Sequence, residues 1–151
     1  MAGVPQIVAI VADPTARLRD LAREASAEGF AHVDRLLSEW ADGRNRFDRE
    51  GEALLAAELG GETIAIGGLT HDPHRAGALR VRRFYVSRTH RGTGIGRLLA
   101  QTILGQISGP QLVTAHAPNE DAIAFWRALG FTYREEPHHN LTLSVPAGET
   151  R

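Results

Sequence analysis

Apolar positions along the chain fall into two rhythms, one of period two and one near 3.6, and their succession predicts alternating strands and helices. Gln6 to Ala12 is a short apolar run and predicts a first strand. Asp13-Pro14 then opens a helix, with Asp13 as N-cap and Pro14 at the first helical position. Leu18, Leu21, Ala22 and Ala25 form its apolar stripe, and Gly29 ends it. Val33, Leu36, Leu37 and Trp40 repeat the helical spacing in a second helix that stops near Gly43. Asn45 to Glu52 is a mixed-charge stretch, read first as a solvated connection, with acceptor binding as the other reading. Glu52 to Leu59 has high helix propensity, but it runs into Gly60-Gly61 and a strand-like Thr63 to Ile66. Gly-Gly between two such runs signals a hairpin.

Leu69 to Gly77 reads as a polar turn region. Leu79 to Val86 is β-branched and aromatic, which predicts a strand. Ile95, Leu98, Leu99, Ile103 and Ile107 predict an amphipathic helix, broken at Gly109-Pro110. Gln111 to Ala117 predicts another strand. Asn119 is a natural N-cap for a helix that turns Ala122, Ile123, Trp126 and Leu129 inward and ends at Gly130. Phe131 to Glu135 and Leu141 to Val145 are strand-like, and the tail beyond Pro146 is expected to fray.

Between the strand ending at Val86 and the helix beginning at Ile95 lies Arg91-Gly92-Thr93-Gly94-Ile95-Gly96. Glycines there let the backbone turn tightly and approach a ligand. The helix start adds unpaired N–H groups and the positive end of the dipole, a combination suited to phosphate. It is not a P-loop, because Arg97 and Leu98 follow Gly96 where a lysine and a hydroxyl are needed. It is not a dinucleotide fingerprint either, since the glycines are spaced G-x-G-x-G and Thr114-Ala115-His116 supplies no acid for a ribose. A glycine-rich turn without a ligand is the alternative, and a phosphate site is the reading preferred.

Composition narrows the field. A chain of 151 residues suggests one domain, spanning 1–151, with an adequate core. With 17 basic against 18 acidic residues, a large nucleic-acid-binding surface is not expected. The chain has no cysteine, so disulfides, thiolate metal sites and a cysteine nucleophile are excluded. No apolar run approaches a membrane span. Ile7 to Ala12 is short and lacks a basic leader, so a cytoplasmic location is the default expectation. His71-Asp72-Pro73-His74 offers no third ligand, and no metal is expected.

Arg91-x-x-Gly94-x-Gly96 after Phe84-Tyr85-Val86 resembles the acetyl-CoA signature of the GNAT superfamily of N-acetyltransferases. Asn119, Ala122, Phe125, Trp126, Leu129, Gly130 and Phe131 resemble the second half of that signature, with a departure at Trp126. The strong likeness covers Leu79 to Phe131. It implies an α/β (α+β) fold with a mixed, largely antiparallel central sheet, helices on both faces, and a splay between the strands Leu79–Val86 and Gln111–Ala117. It implies acetyl-CoA in the splay, with pantetheine against the backbone of Phe84, Tyr85 and Val86. The pyrophosphate would rest on Arg91, Gly92, Thr93, Gly94, Ile95, Gly96 and Arg97, and Asn119, Phe125 and Trp126 would complete the cofactor site.

The activity so implied is acetyl transfer from acetyl-CoA to a primary amine of a small molecule or protein, by direct transfer and without a metal. The alternative is a non-catalytic acyl-CoA-binding module; a nucleotide switch or kinase lacks the lysine and magnesium ligand it needs. The family often has a tyrosine acid where Trp126 stands, and an indole N–H cannot act as an acid. Trp126 therefore packs in the core or contacts the cofactor. Tyr85 and Tyr133 are the only tyrosines, and neither sits at the family's position. His116 is the first candidate base, with a reference pKa near neutrality, and a histidine bonded within the sheet end is the plainer reading. His138 and His139 rank second. No partner is expected among nucleic acids or membranes, and a homodimer is left open.

Overall fold

The computed structural model describes residues 3–148. Among them, seven strands form one sheet: β1 (Gln6–Ala9), β2 (Ala53–Leu59), β3 (Glu62–His71), β4 (Ala78–Val86), β5 (Gln111–Ala115), β6 (Thr132–Tyr133) and β7 (Leu141–Val145). The helices are α1 (Thr15–Ala27), α2 (His32–Asp42), α3 (Ile95–Gly105) and α4 (Glu120–Ala128). The sheet order is β1-β2-β3-β4-β5-β7-β6, antiparallel throughout except for the β4–β5 pair. Part of the tail expected to fray, residues 149–151, lies outside the described residues.

β2 settles the conflict between propensity and pattern in favour of a strand. Its Leu54 and Ala56 enter the core under α1 and α2, while Leu55 and Ala57 enter the core under α3 and α4. A strand covered on both faces gains more from burial than a local helix preference opposes. Gly60 and Gly61 both have positive φ, 59° and 83°, the geometry of a two-residue hairpin turn.

Four expectations need correction. Pro14, not Asp13, occupies the N-cap position of α1; Asp13 caps from one residue upstream, accepting the Thr15 N–H at 2.9 Å. The Asn45–Glu52 stretch is more than a solvated connection, because Phe47 is 4% exposed and its ring fills the space over Gly68, where any Cβ would collide with it. β3 continues to His71, so Leu69–His71 are strand rather than turn, paired with Leu79–Val81. β5 stops at Ala115. Beyond it Asn140 takes a strand's place, its side-chain amide exchanging two 2.8 Å hydrogen bonds with the Ala117 backbone.

Two irregularities shape the centre of the sheet. β4 and β5 pair only at Ala78–Arg80 with Leu112–Thr114, and beyond those residues the two strands part. In β4, Gly68 faces Arg82 and Ile66 faces Tyr85, so Arg83 and Phe84 together oppose Gly67. That is a β-bulge, with Arg83 at φ 57°. The extra residue reverses the alternation. Leu79 and Val81, then Phe84 and Val86, pack toward α3 and α4, while Tyr85 packs with α1 and α2.

Candidate active site

The parting of β4 and β5 opens a cleft of about 1050 Å³ that runs from the glycine loop to the β4 bulge. Its walls come from β4, the start of α3, the residues after β5, α4, and the link between α1 and α2. Ser87 N–H donates to Ile64 O across the β3–β4 ladder at 2.8 Å. By ladder alternation the Val86 backbone therefore points away from β3, into the gap. Tyr85 pairs with Ile66, so its backbone faces β3 and is not available to a pantetheine arm as the sequence reading expected. Two acceptors on the gap side are already engaged: His32 Nε2 lies 3.0 Å from Phe84 O, and Arg91 Nε donates to Val86 O at 3.1 Å. A carbonyl has a second lone pair, so strand addition to this edge remains available.

The glycines of the loop differ in what they do. Gly92 and Gly94 have φ of 77° and 90°, with open space where a Cβ would stand. Gly94 is the N-cap of α3, and no side chain caps that helix. Gly96 is needed for contact, since a Cβ there would lie 3.1 Å from Val86 Cγ2 and 3.4 Å from the Phe125 ring. The α3 terminus thus presents uncapped N–H groups at the cleft, and Arg97 lines it, exposed. Ile95 is buried in the core and anchors the helix, and Thr93 Oγ1 donates to His90 O at 2.5 Å.

Arg91 is not a free phosphate ligand. It donates to Glu28 from both terminal nitrogens, at 2.9 and 2.6 Å, and its guanidinium carbon lies 5.4 Å from the Tyr85 ring centre. The hydrogen bonds from Arg91, then the Tyr85 hydroxyl, hold the Glu28 carboxyl down to about 2. Burial and the Glu28 and Glu24 carboxylates push the Tyr85 phenol well above its usual range. That hydroxyl sits between Glu28 and Glu24 and, with one proton, donates to one of them at a time. Glu24 also accepts from Ser87 Oγ at 3.1 Å and from the Arg88 N–H at 3.2 Å. The two glutamates fasten the glycine loop to the end of α1. Nothing in the loop's own sequence signals them.

Trp126 is 5% exposed and is among the residues lining the cleft. Phe84, Phe125 and Phe131 surround it edge-on, with ring centres 5.0 to 5.3 Å away. Packing and cofactor contact are therefore compatible for this residue. Asn119 caps α4, accepting the Ala122 N–H at 2.9 Å, and also lines the cleft.

His116 stands exposed just past β5, lining the cleft without a hydrogen-bond partner among the described residues. The bonded sheet-end reading belongs instead to its neighbour Ala117. His138 is stacked on His74 with ring centres 3.7 Å apart, and His139 is buried with Nε2 unpartnered. Sequence reasoning missed His32, at the start of α2. Its Nε2 faces Phe84 O, and burial pushes its pKa below the usual range. With Nε2–H donating to that carbonyl, Nδ1 is the basic nitrogen. Among the described residues no group of three or more His, Cys, Asp or Glu could hold a metal ion, and no helix is long and apolar enough to cross a membrane.

The model of the acetyltransferase (GNAT) family matches residues 7–131. The chain belongs to this family. Among solved structures, a protein of Exiguobacterium sp. 255-15 assigned as an acetyltransferase is similar at 24% identity and a TM-score of 0.82, over 94% of each chain. The GNAT domain of the S. lividans protein PAT is 21% identical with a TM-score of 0.74, over 95% of this chain and 92% of that one. YncA of Salmonella typhimurium, solved with its cofactor acetyl-CoA, is 16% identical with a TM-score of 0.69, over 99% of this chain and 98% of that one. No curated protein matches significantly. The GNAT family uses acetyl-CoA, and the residues of the cleft fit it: an unpaired strand edge, an uncapped helix start, and glycines with room above them.

Proposed function

We propose that this GNAT acetyltransferase transfers the acetyl group of acetyl-CoA to the nitrogen of a primary amine, directly and without a covalent enzyme intermediate. The observation that carries the reading is the free edge of β4 beyond Arg80, continuous with the uncapped N-terminus of α3. Gly92 to Arg97 would hold the diphosphate through backbone N–H groups and the helix dipole. The backbone of Phe84 and Val86 would pair with the amides of the pantetheine arm. Bound acetyl-CoA would supply the thioester.

A β4 strand N–H near Val86, directed into the gap, would donate to the oxygen that gains charge. The amine nitrogen bonds to the thioester carbonyl carbon, the C–S bond breaks, and its electron pair leaves on sulfur. The proton lost by the amine passes to His116 or His32, or through water, and ends on the departing sulfur. A thiol of pKa about 8.5 leaves tolerably without an acid, which suits a site whose family acid position holds Trp126. The absence of cysteine removes the commonest acyl carrier and supports direct transfer. A turnover screen with acetyl-CoA and a panel of amines, read by mass spectrometry of the products, tests the proposal. Acetylated products support it; tight CoA binding with no product from any amine would instead support the acyl-CoA-binding module.

A further inference from the structure

The mouth of the cleft nearest α2 carries charge of one sign. Leu79 and Val81 pack under α3 and α4, so Arg80 and Arg82 lie on the opposite face of β4, toward α1 and α2. Arg35 stands one turn after His32 on α2, and all four line the cleft. Arg82 is half-buried, and among the described residues it has neither an ion pair within 4.0 Å nor a hydrogen bond. The acids nearest to it are committed elsewhere. Glu39 holds Arg83 at 2.7 Å. Asp72 accepts from Thr114 Oγ1 at 2.6 Å and from the His74 N–H at 2.8 Å. Arg80 donates to His138 O at 2.7 Å and keeps its other donors. Burial and then repulsion from Arg83 push the Arg82 guanidinium below its usual range, against a smaller opposing pull from Glu39 and Asp72 that the geometry leaves at a distance. Asp121, on α4, is the one carboxylate among the residues lining the cleft.

A half-buried guanidinium without a partner is costly, and an oxyanion with two acceptor oxygens is the ligand that relieves it. We propose that the acceptor is an amine bearing an oxyanion, a carboxylate or a phosphate, which Arg82 binds with help from Arg35 and Arg80. The inference rests on the N-acetyltransferase reading. The same charges act on the amine itself. Cations beside an ammonium group favour its neutral form, which is the form that attacks, so the site that orients the acceptor also assists its deprotonation. Polyamines and other multiply cationic acceptors are disfavoured by the same field.

The test is a set of matched acceptors assayed with acetyl-CoA: L-amino acids against the corresponding amino amides, O-phosphoethanolamine against ethanolamine, and spermidine as a cation. An amino amide is the more easily deprotonated member of its pair, so a preference for the acid cannot arise from intrinsic reactivity. The anionic members should lead in kcat/KM by roughly tenfold or more, mostly through KM, the scale of one charge-assisted hydrogen bond. Whichever pair shows the preference separates carboxylate from phosphate. Arg82→Gln should collapse the preference while acetyl-CoA affinity, measured by calorimetry, stays unchanged, and Arg82→Lys should restore part of it. Equal or better use of the amides, ethanolamine or spermidine overturns the inference and leaves the transferase reading intact, as does a preference that survives Arg82→Gln. If no member is acetylated although CoA binds, this inference is overturned, and the transferase reading fails with it only if the wider panel of amines also gives no product.

Discussion

Arg91 and Glu28 lie sixty-three positions apart in the chain and meet through two hydrogen bonds of 2.6 and 2.9 Å, tying the glycine loop to the residue that ends α1. The arginine of the signature therefore acts on the loop's position, and in the proposed site the phosphates would be left to backbone N–H groups and Arg97. With side chains 42% and 18% exposed, the pair contributes at most about 1 kcal/mol to stability. Arg91→Gln and Glu28→Gln should each weaken CoA binding by a similar factor, and the double variant should be no worse than either. Calorimetry of CoA binding to the four proteins checks this; independent, additive losses would mean that Arg91 meets the phosphates itself.

The same pair predicts a pH dependence. The Glu28 carboxyl is lowered from 4.5 to about 2 in the folded chain. Its contribution is present above 4.5 and is lost as the pH falls from there toward 2. The difference in Tm between the native protein and Glu28→Gln should therefore shrink on acidification through that window. His32 acts in the same direction at higher pH. Burial lowers its pKa below 6.5, so the unfolded chain binds the proton more readily and stability falls as the pH drops below 6.5. His32→Gln should flatten that part of the curve.

Gly94 and Gly96 should fail for different reasons. Gly94→Ala forces a side chain to φ 90°, at a cost of about 1–3 kcal/mol, with nothing in its way. Gly96→Ala keeps ordinary backbone angles but drives a methyl into Val86 and Phe125. Gly94→Ala should lower Tm and weaken CoA binding together. Gly96→Ala should shift the near-ultraviolet signal of the aromatic cluster as well. A Gly94→Val variant is therefore not a clean probe of phosphate contact, because the strain comes with it.

His116→Ala should lower kcat/KM by roughly 10²–10⁴, the scale of general-base catalysis. A normal rate transfers the role to His32, whose Nδ1 is the alternative. Trp126→Ala should cost about 3–5 kcal/mol of stability, as the ring is buried among three phenylalanines. Trp126→Phe should cost far less, and Trp126→Tyr should raise the rate if its hydroxyl reaches the departing sulfur. Thermal melts beside kcat measurements separate the two effects.

Local chemistry by itself determined the helices and the loop. Apolar spacing named the stripe Leu18, Leu21, Ala22 and Ala25 and the core positions Leu99 and Ile103, and Asn119 caps its helix as its side chain requires. The spacing of Gly92, Gly94 and Gly96 placed a turn at a helix start, because positive φ and close approach are demands on single residues. The bulge could not be read that way. Arg83 at φ 57° is set by the Gly67 it opposes and by the Glu39 that holds its side chain, neither near it in sequence. From that one extra residue follow the inward turn of Phe84 and Val86 and the departure of Tyr85 toward Glu24 and Glu28. The β2 strand likewise contradicts its own propensity, since burial on both faces exists only once the sheet is assembled. Periodicity records what each residue prefers; the cleft, its paired and unpaired arginines, and the two glutamates behind the loop depend on which distant segments share a space, and only the tertiary structure decides that.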